Sequence, residues 1–205
     1  MLIVRDRSER GSTLLEMIVT VAILGILAAI AMPQMGDWIR RNSISSAAEV
    51  LQNGLRQAEV EAIRRNARVE FLLTNATPSK AGIVTLVAAD NGTNWAVRAL
   101  DESYAPLANT DLAYVNSYTM KEISPDIAVG GPASLVFNGS GRITSIAGAA
   151  ITEYQVFRVS RPLADRAICV FVTPGGGIKA CDPSLASGKP FACLPLVTTQ
   201  MCPTA

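Results

Sequence analysis

The first third of the chain combines one long apolar run with a helical stripe. Residues 17–32 carry no charge and a single hydroxyl, that of Thr20. As a helix, residues 12–32 measure about 31 Å, enough to cross the apolar core of a bilayer. Apolar positions then recur every three or four residues, which predicts one helix face: Ile44, Ala48, Leu51, Leu55, Ala58 and Ala62.

These two patterns predict one continuous helix over about residues 12–66. We predict that its first half, residues 12–35, lies in a membrane and that its second half, residues 36–66, is amphipathic and rests on a soluble domain. Pro33 lies between the halves. Because proline removes one helical hydrogen bond, we predict a kink at this position.

After residue 66 the pattern becomes that of short strands. Segments rich in β-branched and aromatic residues are separated by Gly, Pro, Asn and Ser, which predicts an antiparallel sheet of six to eight strands. The segments are VEFLL, GIVTLVAA, WAVRAL, SLVFNG, GRITSI, YQVFRVS and AICVFVT. Between Leu100 and Pro125 we expect a long loop with a short strand. The predicted class is α+β, with a β-rich head over residues 67–182 and a tail over residues 183–205.

Composition narrows the possible chemistry. The chain has 205 residues, is 49% hydrophobic and contains no histidine, which removes the commonest general base and nitrogen metal ligand. Carboxylates such as Asp126, Glu153, Asp165 and Asp182 show no fixed local spacing, and no phosphate-binding loop occurs. We therefore expect no enzyme activity, no metal and no cofactor. The net charge of +1 arises in the first eleven residues, so the remainder gives no electrostatic reason to expect nucleic acid.

Four cysteines lie late in the chain, at Cys169, Cys181, Cys193 and Cys202. An even, clustered set without CxxC spacing predicts disulfides and an oxidising compartment. If a hairpin folds about Gly175, positions 169 and 181 face each other. We therefore predict the bonds Cys169–Cys181 and Cys193–Cys202, although spacing leaves the other two connectivities open.

Charge around the apolar run predicts its orientation. Three arginines, Arg5, Arg7 and Arg10, precede the run, which favours a cytoplasmic N-terminus and a head on the opposite side. Glu16 then lies inside the membrane, where an ionisable group costs up to about 2.5 to 3.5 kcal/mol at mid-span. A cleaved signal peptide, a plain anchor and a glutamate that snorkels to the interface are the simpler alternatives. Neither a cleaved signal peptide nor a plain anchor accounts for Glu16, which is therefore a functional candidate.

The string Gly11, Ser12, Thr13, Leu14, Leu15, Glu16, with the apolar run and Pro33, resembles the class III leader of type IV prepilins and type II secretion pseudopilins. The resemblance implies that a prepilin peptidase removes residues 1–11 by cutting after Gly11 and that the amine of Ser12 is methylated. Ser12 stands where phenylalanine is commonest. Glu16 then becomes the fifth mature residue and pairs with the amine of a neighbouring protomer during assembly.

The head carries a second resemblance, to FimT/GspH-type proteins. It rests on LRQAEVEAIRRNARVEFLL, NGTNWAVRAL, SLVFNGSGRIT and ICVFVTPGGGIKAC. The resemblance implies a pilin fold and a minor pilin that helps to assemble or prime a type IV pilus near its tip. A type II secretion pseudopilin of GspH type is the alternative. The four cysteines and the tail favour the pilus.

The implied location and partners follow from the same resemblance. The chain is expected in the inner membrane as a single-pass protein with its head in the periplasm, and later in the fibre. Its partners are the prepilin peptidase, other pilins or pseudopilins and the inner-membrane assembly platform. Some FimT members bind DNA, for which the candidates here are Arg142, Arg158, Arg161, Arg166, Lys179 and Lys189. At the terminal hairpin, Gly177, Ile178 and Lys179 replace the Gly-Arg of FimT members, and scattered surface charge is the interpretation we favour.

Overall fold

The computed structural model describes residues 13–203, and for residues 31–34 only the backbone. Helix α1 spans Leu14–Arg65, which agrees with the predicted helix to within two residues. It ends because Asn66 adopts a left-handed conformation, with φ of 48°. The N–H groups of Asn66 and Ala67 then donate to the carbonyls of Ile63 and Ala62, both at 3.1 Å, which forms a Schellman cap. The chain divides into two compact units, and the boundary lies within α1, between Ile39 and Arg40.

The described residues after α1 form nine strands, a short helix and one 3₁₀ turn. The strands are β1 (Arg68–Thr74), β2 (Asn94–Leu100), β3 (Tyr114–Thr119), β4 (Ala128–Gly130), β5 (Ser134–Phe137), β6 (Ile143–Thr144), β7 (Gln155–Ser160), β8 (Ile168–Val172) and β9 (Ile178–Cys181). Helix α2 spans Thr110–Ala113, and the 3₁₀ turn spans Met120–Glu122. The strands pair as two antiparallel sheets, in the orders β3-β2-β1-β5-β6 and β4-β7-β8-β9.

The apolar stripe of α1 and the inner faces of both sheets share one core. All six stripe residues predicted from periodicity are buried. Aromatic rings from both sheets meet beneath the helix, where the Phe71 ring centroid lies 5.6 Å from those of both Trp95 and Phe157. Burial of this shared apolar surface holds the amphipathic half of α1 on the head.

Gly54 allows α1 to approach this core closely. A β-carbon at this position would lie 2.7 to 2.9 Å from carbon atoms of the Trp95 ring. A side chain of any size would therefore push the helix or the indole away. Glycine is needed here for its lack of volume, although it lowers helix propensity.

Two sequence predictions about strands are corrected. Two sheets of five and four strands replace the single sheet of six to eight strands. The segment GIVTLVAA, residues 82–89, contains no strand. It lies against the outer face of β1 and β2, where Ile83 is buried with Leu72 and Ala96. Its apolar character reflects this burial, which a strand pattern does not distinguish from a covering loop.

A buried ion pair holds that covering segment. The guanidinium of Arg98 donates to the Glu70 carboxylate at 2.6 Å and to the carbonyls of Ile83 and Leu86 at 3.0 and 2.9 Å. These bonds satisfy backbone carbonyls that a sheet would have paired.

In the region from Leu100 to Pro125, the expected short strand is β3, and α2 is an additional element that Asn109 caps.

The terminal hairpin has the predicted register, but the predicted disulfides are wrong. Cys169 and Cys181 are direct partners across β8 and β9. The bonds instead join Cys169 to Cys202 and Cys181 to Cys193. Cβ atoms of directly opposed residues are commonly farther apart than the 3.5 to 4.5 Å typical of a disulfide. Both side chains are buried under the tail, where each reaches a tail cysteine instead.

Candidate functional site

The N-terminal turn of α1 places Glu16 beside the helix start. Gly11 and Ser12, the predicted processing residues, lie outside the described residues. Thr13 precedes the helix, and its hydroxyl accepts a hydrogen bond from the Glu16 backbone N–H at 3.3 Å. An acidic side chain in the first turn also interacts favourably with the positive end of the helix dipole. Glu16 is exposed and is therefore available to a group from outside this chain.

This geometry adds a local role for the residues around Glu16 that our sequence reasoning missed. The spacing Thr13-x-x-Glu16 is that of a capping box. The signal was readable, because a threonine lies three residues before a glutamate at the start of an apolar run. Thr13 therefore caps the helix that carries Glu16, and the two residues form one helix-start unit.

From Leu14 to Ile30 the helix surface is apolar on every side, apart from the Glu16 carboxylate and the Thr20 hydroxyl. The exposed large side chains of this part are Leu14, Leu15, Met17, Ile18, Val19, Val21, Ile23, Leu24, Ile26, Leu27 and Ile30. A helix with this composition is stable when lipid or other helices surround it. Within residues 13–203, no single straight helix is both long enough and apolar enough to cross a membrane. The segments Leu14–Ile30 and Met35–Arg65 reach that length and composition only together, and they are bent at residues 31–34, which include Pro33.

Three of the six candidate DNA-contacting residues have partners within the head. Arg158 donates to the Pro203 carbonyl at 3.0 Å, Arg161 to the Asp126 carboxylate at 2.8 Å, and Arg166 to the Asp182 carboxylate at 2.7 Å. The other candidates are exposed: Arg142, Lys179 and Lys189. The engaged arginines therefore connect elements of the head, a role that spacing along the chain does not reveal.

The carboxylates singled out from the sequence also serve mainly in ion pairs. Asp126, Asp165 and Asp182 are each bonded to a different arginine: Arg161, Arg41 and Arg166. The guanidinium of Arg161 and the hydroxyl of Ser124 hold the pKa of Asp126 below its ordinary value. Among the described residues, no group of three or more metal-ligating side chains is suited to hold a metal ion.

The fold and the apolar helix define the class of the protein. A long N-terminal helix, apolar all round at its start and packed on antiparallel sheets at its end, is the architecture of a pilin-like subunit. Residues 6–32 match the model of the prokaryotic N-terminal methylation motif, and residues 47–176 match that of the type II transport protein GspH. The second match covers more than half of the chain, which belongs to the GspH family.

Part of this chain is also similar to individual fimbrial proteins. A fimbrial protein of Pseudomonas aeruginosa is 36% identical over 72 residues, which are 35% of this chain and 44% of that protein. A fimbrial protein of Moraxella nonliquefaciens is 41% identical over 61 residues, 30% of this chain and 38% of that protein. The matched segment thus spans less than half the length of these curated relatives.

Among solved structures, the type IV minor pilin FimU of Pseudomonas aeruginosa has a TM-score of 0.50 and 17% identity, and the match covers 76% of this chain and 98% of that one. At this identity the likeness shows a shared fold. It confirms the α+β pilin fold expected from the sequence. With the family match, it identifies the chain as a protein of the GspH family with a pilin fold.

Proposed function

We propose that this chain is a minor pilin that takes part in assembling or priming a type IV pilus, near the tip of the fibre. The observation that carries the proposal is the exposed helix of residues 14–30, whose side chains are apolar on every side and include one carboxylate, Glu16, in the first turn. Such a surface needs lipid before assembly and neighbouring helices afterwards. The processing motif matched over residues 6–32 supports the same course.

In this proposal, residues 1–11 are a cytoplasmic leader that the prepilin peptidase removes after Gly11. The new amine belongs to Ser12, which is methylated. Residues 12–35 anchor the subunit in the inner membrane, and the head lies in the periplasm. An oxidising periplasm suits the two disulfides of the head. Pro33 contributes to assembly by letting the helix bend between its two halves.

Glu16 acts as the register residue when the subunit leaves the membrane for the fibre. A carboxylate in an apolar environment is costly unless an opposite charge lies beside it. The amine of Ser12 on a neighbouring subunit supplies that charge only when the two helices are aligned at one axial offset. The pair therefore favours one register, and the free energy of assembly comes mainly from apolar contacts between helices.

A type II secretion pseudopilus is the second candidate, favoured by the match to the GspH model. The two candidates differ in the machinery that uses the subunit. A deletion strain that loses surface pili, with normal export of secreted enzymes, supports the pilus. Retained exoproteins in the periplasm, with normal piliation, support the pseudopilus. We do not propose DNA binding, because Arg158, Arg161 and Arg166 have partners inside the head.

The test of the main proposal compares processing with incorporation. Intact mass of membrane-extracted protein should show a chain that begins at Ser12, and Gly11→Leu should leave the precursor uncut. Glu16→Ala should be cleaved and inserted normally but should be depleted from sheared fibres. Glu9→Ala, in the leader, is the matched control and should be incorporated like the wild type. Normal recovery of Glu16→Ala in fibres would contradict the assigned role of Glu16.

A further inference from the structure

Strand β9 forms one edge of the four-stranded sheet, and the ladder to β8 fixes which of its backbone groups face outward. The N–H of Thr173 donates to the carbonyl of Gly177 at 2.9 Å. Hydrogen-bonded and non-hydrogen-bonded pairs alternate along an antiparallel ladder. Lys179 therefore points its backbone groups toward β8, whereas Ile178 and Ala180 point theirs away from the sheet.

The next residue in the same phase supports this assignment. Asp182 donates its N–H to the carbonyl of Phe191 at 2.6 Å, and it forms a parallel bridge with Ala192. The tail thus begins to pair with the outer edge of β9 and then leaves it. Among the described residues, no hydrogen bond reaches the outward backbone groups of Ile178 or Ala180. Two residues of β9 therefore keep an open edge.

This open edge lies in a groove, which we call the β9 groove. Two adjoining cavities form the groove, and both are lined by Gln52, Ala180, Cys181 and Phe191. Helix α1 forms one wall through Gln52 and its neighbours, and the tail forms the other. Two walls restrict an incoming chain to the direction of the strand, which suits an extended backbone.

Phe191 supports the interpretation of the groove as a contact site. Its side chain is 75% exposed, and its φ of 66° is in the left-handed region. A bulky residue in that conformation is strained, and strain of this kind clusters at functional positions. The bond between Cys181 and Cys193 lies two residues away in the tail and fixes the wall that presents the ring. Aromatic side chains held in this way are common anchors of protein interfaces.

Charge and polarity differ along the groove. Arg56 and Lys179 line one cavity. The other cavity contains apolar groups from Ala48, Ile168 and Phe191, together with the Glu49 carboxylate and the Arg166–Asp182 ion pair. An occupant that matches both has an apolar side chain followed by a carboxylate. The two open edge residues add main-chain hydrogen bonds, which an extended chain offers and a helix does not, because helical backbone groups are already paired.

We propose that the β9 groove accepts an extended segment of a neighbouring pilin subunit, which adds a strand beside Ile178 and Ala180. Its apolar side chain packs against Phe191, and its carboxylate faces Arg56 and Lys179. This inference rests on the proposed function, since the fibre supplies the neighbour. It differs from the contact of N-terminal helices, because it joins one head to another.

Site-specific photocrosslinking in cells that produce the full chain tests the contact. Benzoylphenylalanine at Gln52, in the groove wall, should crosslink to a segment of another pilin's head, identified by mass spectrometry of the joined peptide. The matched control is Asn53, which is exposed on the same helix but does not line the groove. A joined peptide from a neighbour's N-terminal helix, equal yield at both positions, or no product in fibres that contain the protein would overturn the proposal.

Backbone substitution tests the added strand. Ala180→Pro removes an outward N–H and leaves the ladder to β8 intact, because proline is tolerated on the open side of an edge strand. Crosslinking from position 52 should fall about fivefold, as expected for the loss of one hydrogen bond. Ala180→Ser keeps the N–H and should crosslink normally. Equal yields from the two variants would contradict the strand.

A second pair of changes covers the case in which Ala180→Pro fails to fold. Reversing the charges with Arg56→Glu and Lys179→Glu should lower the crosslink yield, whereas Lys189→Glu, in the tail, should not. Unchanged yield after the double reversal would contradict the acidic segment. Recovery of each variant in sheared fibres separates the hypotheses: absence of the wild-type chain from fibres refutes the proposed function, and normal incorporation without the crosslink refutes this inference.

Discussion

Cys169 and Cys181 are direct partners across β8 and β9, and each is bonded to a different cysteine of the tail. The phase of the ladder makes them a hydrogen-bonded pair, for which Cα atoms are about 5.5 Å apart. Their buried side chains meet Cys202 and Cys193 from the covering tail. Two neighbouring strands thus hold two points of the tail, which fixes the wall of the β9 groove.

Peptide mapping under non-reducing conditions should recover this connectivity. Combined digestion with trypsin and chymotrypsin cuts after Lys179, Phe191 and Leu196, which separates all four cysteines. We expect linked peptides that contain Cys169 with Cys202 and Cys181 with Cys193. Thiol alkylation before digestion guards against exchange. A peptide that links Cys169 to Cys181 would contradict the structure of the tail.

Removal of the two disulfides should have unequal effects on stability. The bonds close loops with sequence separations of 33 and 12 residues. The chain-entropy model gives about 4 kcal/mol for the first and about 3 kcal/mol for the second. The double variant Cys169→Ala/Cys202→Ala should therefore lower the unfolding free energy more than Cys181→Ala/Cys193→Ala. Chemical denaturation of the full chain in detergent measures both, and the reverse order would contradict the prediction.

Gly54→Ala should destabilise the protein, although alanine is the better helix former. The added methyl would lie within 3 Å of the Trp95 ring, and overpacking of this kind costs roughly 1 to 3 kcal/mol. Tryptophan fluorescence should report both the unfolding transition and a disturbed indole environment. Asn53→Ala, at the exposed neighbouring position, should be neutral or slightly stabilising. A gain in stability for Gly54→Ala would show that the helix and the sheet are not in close contact at this point.

Arg98→Met should destabilise the head by about 3 to 5 kcal/mol, because it leaves the carboxylate of Glu70 buried without a counter-charge. It also removes the donors to the Ile83 and Leu86 carbonyls. Limited proteolysis should then cut residues 75–90 faster than in the wild type. Arg64→Met, which removes an exposed ion pair, is the control and should cost far less, because exposed ion pairs contribute little to stability. Equal effects of the two substitutions would contradict the buried role of Arg98.

Glu61 should contribute to the acid dependence of stability. The hydrogen bond from Arg64, assisted by one from Arg65, lowers the pKa of Glu61 from 4.5 to about 2. The depressed pKa means that this stabilisation is complete above about pH 4.5 and is lost as pH falls toward about 2. Glu61→Gln should reduce the slope of unfolding free energy against pH across this window. An unchanged slope after this substitution would contradict the prediction.

Local patterns in the sequence determined the elements that depend on near neighbours. The spacing from Ile44 to Ala62 predicted the buried face of α1 because side chains three and four positions apart lie on one side of a helix. The turn around Gly175 predicted the partnership of Cys169 and Cys181 because residue count fixes the register of a hairpin. The arginines before the apolar run and the carboxylate of Glu16 likewise indicated a functional role for the apolar helix, and this inference did not depend on the structure of the head.

Contacts between distant segments decided the rest. An apolar stretch such as residues 82–89 reads as a strand, but the outer face of β1 and the Arg98 guanidinium made it a covering loop. The path of the tail selected one of the three possible disulfide connectivities. It also left the outer edge of β9 open at Ile178 and Ala180. Hydrophobic periodicity indicates which side chains are buried, but it does not identify the residues that they contact. Those contacts come from segments that are distant in the chain, and only the folded structure defines them.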